Sequence, residues 1–129
     1  MNEEPAQLDY EAVARANTDL SERLFREGVS IIYDEDGDTL LVDIGEGGEA
    51  IADHVVDGLY IRLNPLTYKA VGVTIIGFVS DVLAHNKLIR KLFQDSFERF
   101  RNAGGRTEWK AMEARRAMPL FEAALSHRP

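Results

Sequence analysis

No cysteine occurs in the 129 residues. Disulfides, thiol nucleophiles and cysteine-based zinc sites are excluded with it, and nothing in the sequence requires an oxidising compartment. Long apolar runs are missing as well. The longest mostly apolar stretch covers residues 70–83 and is interrupted by Gly72, Thr74, Gly77 and Asp81, well short of the ~20 residues a bilayer-spanning helix needs. The first residues are acidic and lead into no apolar stretch, so no signal peptide is expected. The expectation is a soluble, cytoplasmic protein with no membrane association. Internal repeats and low-complexity segments are also absent.

Several catalytic signatures are missing. His54, His85 and His127 are the only imidazoles, and neither His-x-x-x-His nor His-x-x-Glu-His spacing is present,. Ser80-Asp81 and Ser126-His127 lack the G-x-S-x-G context of a nucleophile elbow,. Gly45-Glu46-Gly47-Gly48 sets an acid among glycines, and Gly104-Gly105-Arg106 has neither the Lys-Ser/Thr of a P-loop nor the G-x-G-x-x-G order,. Arg106 beside two glycines is the one anion contact worth naming.

What is present is enough for a core. Apolar residues make up 45% and charged residues 29%, and a chain of this length buries roughly two-thirds of its unfolded surface. The net charge of −7 is unevenly spread: residues 1–28 carry −4, residues 29–78 carry −7 and residues 79–129 carry +4. Only Arg62 and Lys69 are basic in the middle block. The plainer reading is that the basic C-terminal block packs beside the acidic blocks, within or between subunits.

Periodicity divides the chain at the same places. Tyr10, Val13, Ala16, Leu20 and Leu24 recur at helical spacing up to Gly28, with Pro5 suited to a first turn and Asn17-Thr18 able to split the helix,. The period then becomes two. Val29, Ile31 and Tyr33, then Leu40, Val42 and Ile44, then Leu59, Ile61 and Leu63, then Val71, Val73 and Ile75 predict four strands,. Residues 34–38 hold an Asp-Gly pair and predict a tight hairpin, residues 46–50 a looser turn, and Asn64-Pro65-Leu66-Thr67 a third turn,. Short connections favour an antiparallel meander, with Asp43, Arg62 and Thr74 on its polar face. From Ser80, read as an N-cap, Val82, His85, Ile89, Phe93, Phe97 and Phe100 line one helix face,. After Gly104-Gly105, Thr107 is expected to cap a further helix carrying Ala111, Ala114, Met118, Phe121 and Leu125, with Pro119 kinking or restarting it,.

Tyr33-Asp34-Glu35-Asp36-Gly37-Asp38-Thr39-Leu40 reads Y-D-x-x-x-D-x-L across a strand-turn-strand. Asn64-Pro65-Leu66-Thr67 follows the next pair of strands, and Val71-Gly72-Val73-Thr74-Ile75 reads V-G-x-x-I. In these elements residues 29–78, under half of the chain, resemble domain of unknown function 2283, a family of short, mostly bacterial proteins. The resemblance implies the strand-turn-strand unit and transfers no catalytic residue. Because some members are thought to sit beside toxin-like proteins, it also implies an antitoxin-type role.

The candidate chemistry is thin. Asp34, Asp36, Asp38, Asp43 and Glu46 suggest calcium ligands, but Gly37 falls between the second and third Asp and Gly45 stands where an EF-hand needs Glu, so a solvated hairpin is expected,. His85, between Val82 and Ile89, reads as a half-buried, hydrogen-bonded helix histidine. Lys87, Arg90, Lys91, Arg99 and Arg101 lie off the apolar stripe and Arg115 and Arg116 on the next helix; a solvated face is the plainer reading and nucleic acid is not an expected partner. Trp109 reads either as an exposed anchor for a protein partner or as core.

The expected fold is α+β over one domain, 1–129: an N-terminal helical segment (1–28), a four-stranded antiparallel β-meander (29–78) and two to three C-terminal helices (79–129). The expected function is a non-enzymatic, self-associating interaction module, a homodimer with Phe93, Phe97, Phe100, Trp109, Lys87, Arg90 and Arg101 as candidate interaction residues. No catalytic residue, cofactor or metal is expected. The alternatives are an antitoxin-like or regulatory subunit binding a basic protein partner or DNA, and, more distantly, a small enzyme using Asp53, His54 and Arg62.

Overall fold

The computed structural model describes residues 9–94 and 106–126. Within them the chain is α+β, with an antiparallel sheet. The N-terminal stripe folds as two helices, α1 (Tyr10–Ala16) and α2 (Leu20–Glu27). Asp9 caps α1, its carboxylate accepting the Glu11 and Ala12 N–H groups,. The break falls at Asn17, a polar side chain only 8% exposed. Its amide donates to Val13 O at 2.8 Å and Tyr68 O at 2.9 Å, while Oδ1 accepts the Ala70 N–H at 2.7 Å. A weak helix former therefore ends α1 and ties it to a turn 51 residues away,. Gly28 closes α2 with φ of 80°, donating to Leu24 O, and a Cβ there would lie 3.1 Å from Trp109 O.

Six strands, not four, form the sheet among the described residues: β1 (Val29–Asp34), β2 (Thr39–Ile44), β3 (Ile51–Val56), β4 (Leu59–Leu63), β5 (Ala70–Ile76) and β6 (Arg106–Trp109). Their order is β3-β4-β5-β2-β1-β6, every pair antiparallel. The expected simple meander is corrected to a Greek key: residues 45–50 carry the chain from β2 to the far edge, and β3, β4 and β5 step back until β5 pairs with β2,. The β4–β5 turn forms where expected. Asn64 Oδ1 accepts the Leu66 and Thr67 N–H groups at 2.8 and 3.0 Å. β3 escaped the sequence pattern because it is an edge strand in which only Val55 is buried. β6 escaped it because pairing creates it, Val29 opposite Trp109 and Ile32 opposite Arg106. Thr107 therefore sits within a strand and caps no helix.

Beyond β5 the long helix expected from Ser80 is subdivided. A π-helical turn (Phe78–Val82) runs into α3 (Leu83–His85), and Asn86 separates this from α4 (Lys87–Phe93), capping it through the Ile89 N–H at 3.1 Å,. Ser80 lies inside the π-helical turn, so it is not the N-cap. Phe97, Phe100 and Arg101 lie outside the described residues. After β6, Ala111 occupies an exposed turn with φ of 53°, not a helix face. A 3-10 turn (Glu113–Ala117) leads to α5 (Met118–Ser126), which restarts with Pro119 in its first turn,.

The helices cover one face of the sheet. Ile31, Leu40, Val42, Leu63, Val73 and Ile75 from that face pack with Leu20, Leu24, Ile89, Leu120 and Phe121 in one buried cluster. Part of the same cluster is a series of rings, Tyr33–Phe78–Phe93–Trp109, with successive centroids 5.8, 6.0 and 6.0 Å apart,. No helix of the described residues is long and apolar enough to cross a membrane.

Asn17→Ala leaves Ala70 N–H and Tyr68 O unpaired in a buried site, and we expect it to cost about 2–4 kcal/mol. Asn86→Ala removes only a partly buried cap and should cost about 1 kcal/mol. Equilibrium urea unfolding of both variants checks this; equal losses would remove the special role given to Asn17.

Candidate functional site

The acidic hairpin between β1 and β2 is organised around one residue. Positive φ falls on Asp38, at 47°, and not on Gly37. In that conformation Asp38 O accepts Gly77 N–H at 2.9 Å and Phe78 N–H at 3.0 Å. Its carboxylate accepts Val79 N–H and Ser80 N–H, each at 2.9 Å, and the Tyr33 hydroxyl at 2.7 Å. Four successive backbone donors at the start of the helical segment are thus satisfied by one residue of another hairpin. Burial alone would raise the Asp38 pKa, but the hydrogen bonds from Val79, Ser80 and Tyr33 outweigh it and bring the carboxyl from 3.8 to about 2,. Asp38 is therefore a structural carboxylate, committed to N–H donors.

The second feature is the sheet face opposite the helices. The register aligns Ile32, Leu41, Thr74, Tyr60 and His54 in one row across five strands, with Arg106 at its β6 end. Ile32, Leu41 and Tyr60 are half-buried and Ile76, one row away, is 49% exposed. In the neighbouring row the Arg62 guanidinium bonds the Asp43 carboxylate across Gly72. A Cβ on Gly72 would stand 2.6 Å from Val42 O and 2.8 Å from Asp43 Oδ1, so glycine is what lets the pair close. The face thus combines an apolar row with an internally neutralised ion pair, and the described helices all pack on the other side. Both sheet edges are blunted: β3 carries a bulge between His54 and Val56, and β6 is four residues long with Arg106 beside Glu108 at 3.4 Å,.

A third feature is a cleft of about 420 Å³ where the β3–β4 turn meets the π-helical turn and α3, lined by Val56, Asp57, Asp81, Val82, His85 and Asn86. Gly58 brings the turn close, since a Cβ there would sit 2.7 Å from Val82 Cγ2. His85 is exposed, in contrast to the half-buried expectation, and its Nδ1 lies 2.8 Å from Asp81 Oδ1 and 3.0 Å from Asp81 O. No group of three or more His, Cys, Asp or Glu side chains among the described residues is arranged to hold a metal ion.

The residues singled out from the sequence are dispersed. Phe93 is fully buried and Trp109 is 3% exposed, stacked on Phe93, with the Arg116 guanidinium 4.8 Å from the Trp109 ring centroid. Both lie in the chain's own core, so Trp109 takes the core reading. Lys87, Arg90 and Lys91 are exposed on α4. Arg115 lies over the Phe25 ring at 4.8 Å. Asp53 faces the helices beside Tyr10 and Leu125, its neighbour His54 lies on the open face with its ring centroid 5.1 Å from that of Tyr60, and Arg62 is held by Asp43. These three do not converge on one place. Alternation in four strands pointed to this face, with Asp43, Arg62 and Thr74 on it; its apolar row and its full width escaped sequence reading because β3 and β6 were not legible.

No protein-family model, curated protein or solved structure matches this chain.

The lowered Asp38 pKa has a consequence for stability. The ionised carboxylate stabilises the fold above its unfolded-state value near pH 4, and this contribution is lost as pH falls toward about 2,. Because the group is partly solvated, about 1 kcal/mol is expected from the charge. Asp38→Asn retains a side chain that tolerates positive φ and should be about 1–2 kcal/mol less stable near neutral pH, the gap closing between about pH 4 and pH 2. Urea unfolding at a series of pH values measures it, and a gap that does not change with pH would mean the charge is not what holds the turn.

Proposed function

We propose that the chain is a non-enzymatic interaction module that self-associates as a dimer through the open face of its sheet. The supporting observation is the row Ile32, Leu41, Thr74 and Tyr60, with Ile76 beside it, left uncovered by the described helices. Water on one face of an antiparallel sheet is ordinary, so a second observation is needed to choose an occupant. It is charge. A chain of net charge −7 repels its copies over most orientations, whereas this face holds Asp43 paired with Arg62 and Arg106 beside Glu108, leaving it close to neutral. Two copies can approach there without like-charge repulsion.

Size sets the expected strength. Six strands about 4.8 Å apart, with about three outward residues each, give a footprint on the order of 400–500 Å² per copy. Standard interfaces bury about 800 Å² per partner, so a concentration-dependent dimer is expected. With both edges blunted, face-to-face pairing is better supported than edge-to-edge pairing. Nucleic-acid binding has less support, because Arg115 and Arg116 are engaged with Phe25 and Trp109, which leaves Lys87, Arg90 and Lys91 on the short α4 as the exposed basic group.

Light scattering coupled to size exclusion, over a wide range of concentration and at low and high salt, tests the proposal. We expect a monomer–dimer equilibrium with little salt dependence. Leu41→Lys with Ile76→Lys should weaken it roughly tenfold or more, since two ammonium groups would have to be desolvated. Leu66→Lys, at a turn tip 92% exposed, serves as a control and should change nothing. A monomer at every concentration, or a dimer indifferent to the double substitution, would overturn this reading.

A further inference from the structure

We propose that the cleft between the β3–β4 turn and α3 binds an arginine or lysine side chain of a basic segment on a partner protein. The site is separate from the open sheet face and does not depend on pairing of the sheets. Its lining divides by chemistry: Val56 and Val82 are apolar, Asp57 and Asp81 are carboxylates, and Asn86 and His85 complete the wall. Among the described residues, neither lysine nor arginine is in that lining. Asp57 is exposed with no ion pair among the described residues, and Asp81, in the π-helical turn, meets the His85 ring four residues along, Oδ1 to Nδ1 at 2.8 Å. An arginine or lysine side chain has the matching form, an alkyl stem that lies on valines and a cationic head that meets carboxylates.

Two further observations favour this ligand over an anion or a neutral group. The volume of about 420 Å³ exceeds what a single ion needs and is of the size that receives a long side chain,. The hairpin residues Asp34 and Asp36 emerge at the same end of the sheet as the β3–β4 turn and the end of β5, which adds carboxylates on the sheet side of the cleft, while the exposed cations Lys87, Arg90 and Lys91 belong to α4 beyond Asn86,. Exposed Val79, at 44%, adds apolar surface on the same helical segment. The cleft walls are fixed in place by contacts outside the cleft. Asp38 anchors the π-helical turn through Val79 and Ser80, and Gly58 seats the opposite turn against Val82.

The test is a titration of the isotope-labelled full chain, followed by amide chemical shifts, with the peptide acetyl-Gly-Arg-Gly-amide. The same peptide with citrulline in place of arginine is the neutral control. Saturable shifts at Val56, Asp57, Asp81, Val82 and Asn86 with the arginine peptide, absent with the citrulline peptide, are expected. Asp57→Asn and Asp81→Asn should each weaken binding roughly fivefold while the remaining spectrum shows an unchanged fold. Absence of saturable shifts, equal shifts with the citrulline peptide, shifts scattered over residues 34–36 instead of the cleft, or binding unaffected by both substitutions would each overturn the proposal.

Discussion

Four consecutive backbone N–H groups, from Gly77 to Ser80, end on the carbonyl and carboxylate of Asp38. Helix starts leave such donors without partners, and they are ordinarily met by a residue of the same segment or by water. Here the partner belongs to the β1–β2 hairpin, so the start of the helical segment is positioned by the sheet and not by its own sequence. Phe78 is thereby placed against Tyr33, and the ring series continues through Phe93 to Trp109 on the last strand. The wall of the cleft at Asp81 and His85 follows from the same anchor. A single turn residue therefore links the sheet, the core and one edge of the surface.

The two faces of the sheet differ in what covers them. One face is consumed by the core. The other keeps an apolar row and holds its charge internally, through the Asp43–Arg62 pair that Gly72 admits. Asp36, Asp38 and Asp57 stand in the turns at one end of the sheet, and solvent screens those that no N–H group holds,. Neutral face and acidic ends are complementary properties of one arrangement: alternation along strands sends apolar residues and paired charges to the faces, while turns take the carboxylates that no strand can use. The blunted edges, bulged at β3 and charged at β6, leave the faces and ends as the surfaces available for contact.

Much of the fold was legible because period-two and helical spacing are local signals. Strands β1, β2, β4 and β5 showed them, as did the stripe of Val13, Leu20 and Leu24 and the restart at Pro119. Asn17 was visible as a weak point in the first helix, though not as a clamp, since its partners Tyr68 and Ala70 lie 51 and 53 residues away. The candidate surfaces were less legible. Asp38 looked like one acid among several in a hairpin, and nothing local distinguishes it from Asp36; only its left-handed conformation and the arrival of residues 77–80 do. Trp109 and Phe93 invited an interface reading because an aromatic in sequence carries no mark of which partner will cover it.

What the sequence determined by itself was the absence of cysteine chemistry, the α+β class, the antiparallel hairpins with their turns, and the uneven charge. Each rests on residue identity or on near-neighbour spacing. The order of the strands, the existence of β3 and β6, the subdivision of the helix after β5 and the commitment of the Asp38 carboxylate came from the three-dimensional arrangement. Those depend on pairing between residues far apart in the chain. An edge strand or a four-residue strand gains its hydrogen bonds from a neighbour it cannot specify locally, and a carboxylate becomes structural only when distant N–H groups are brought to it.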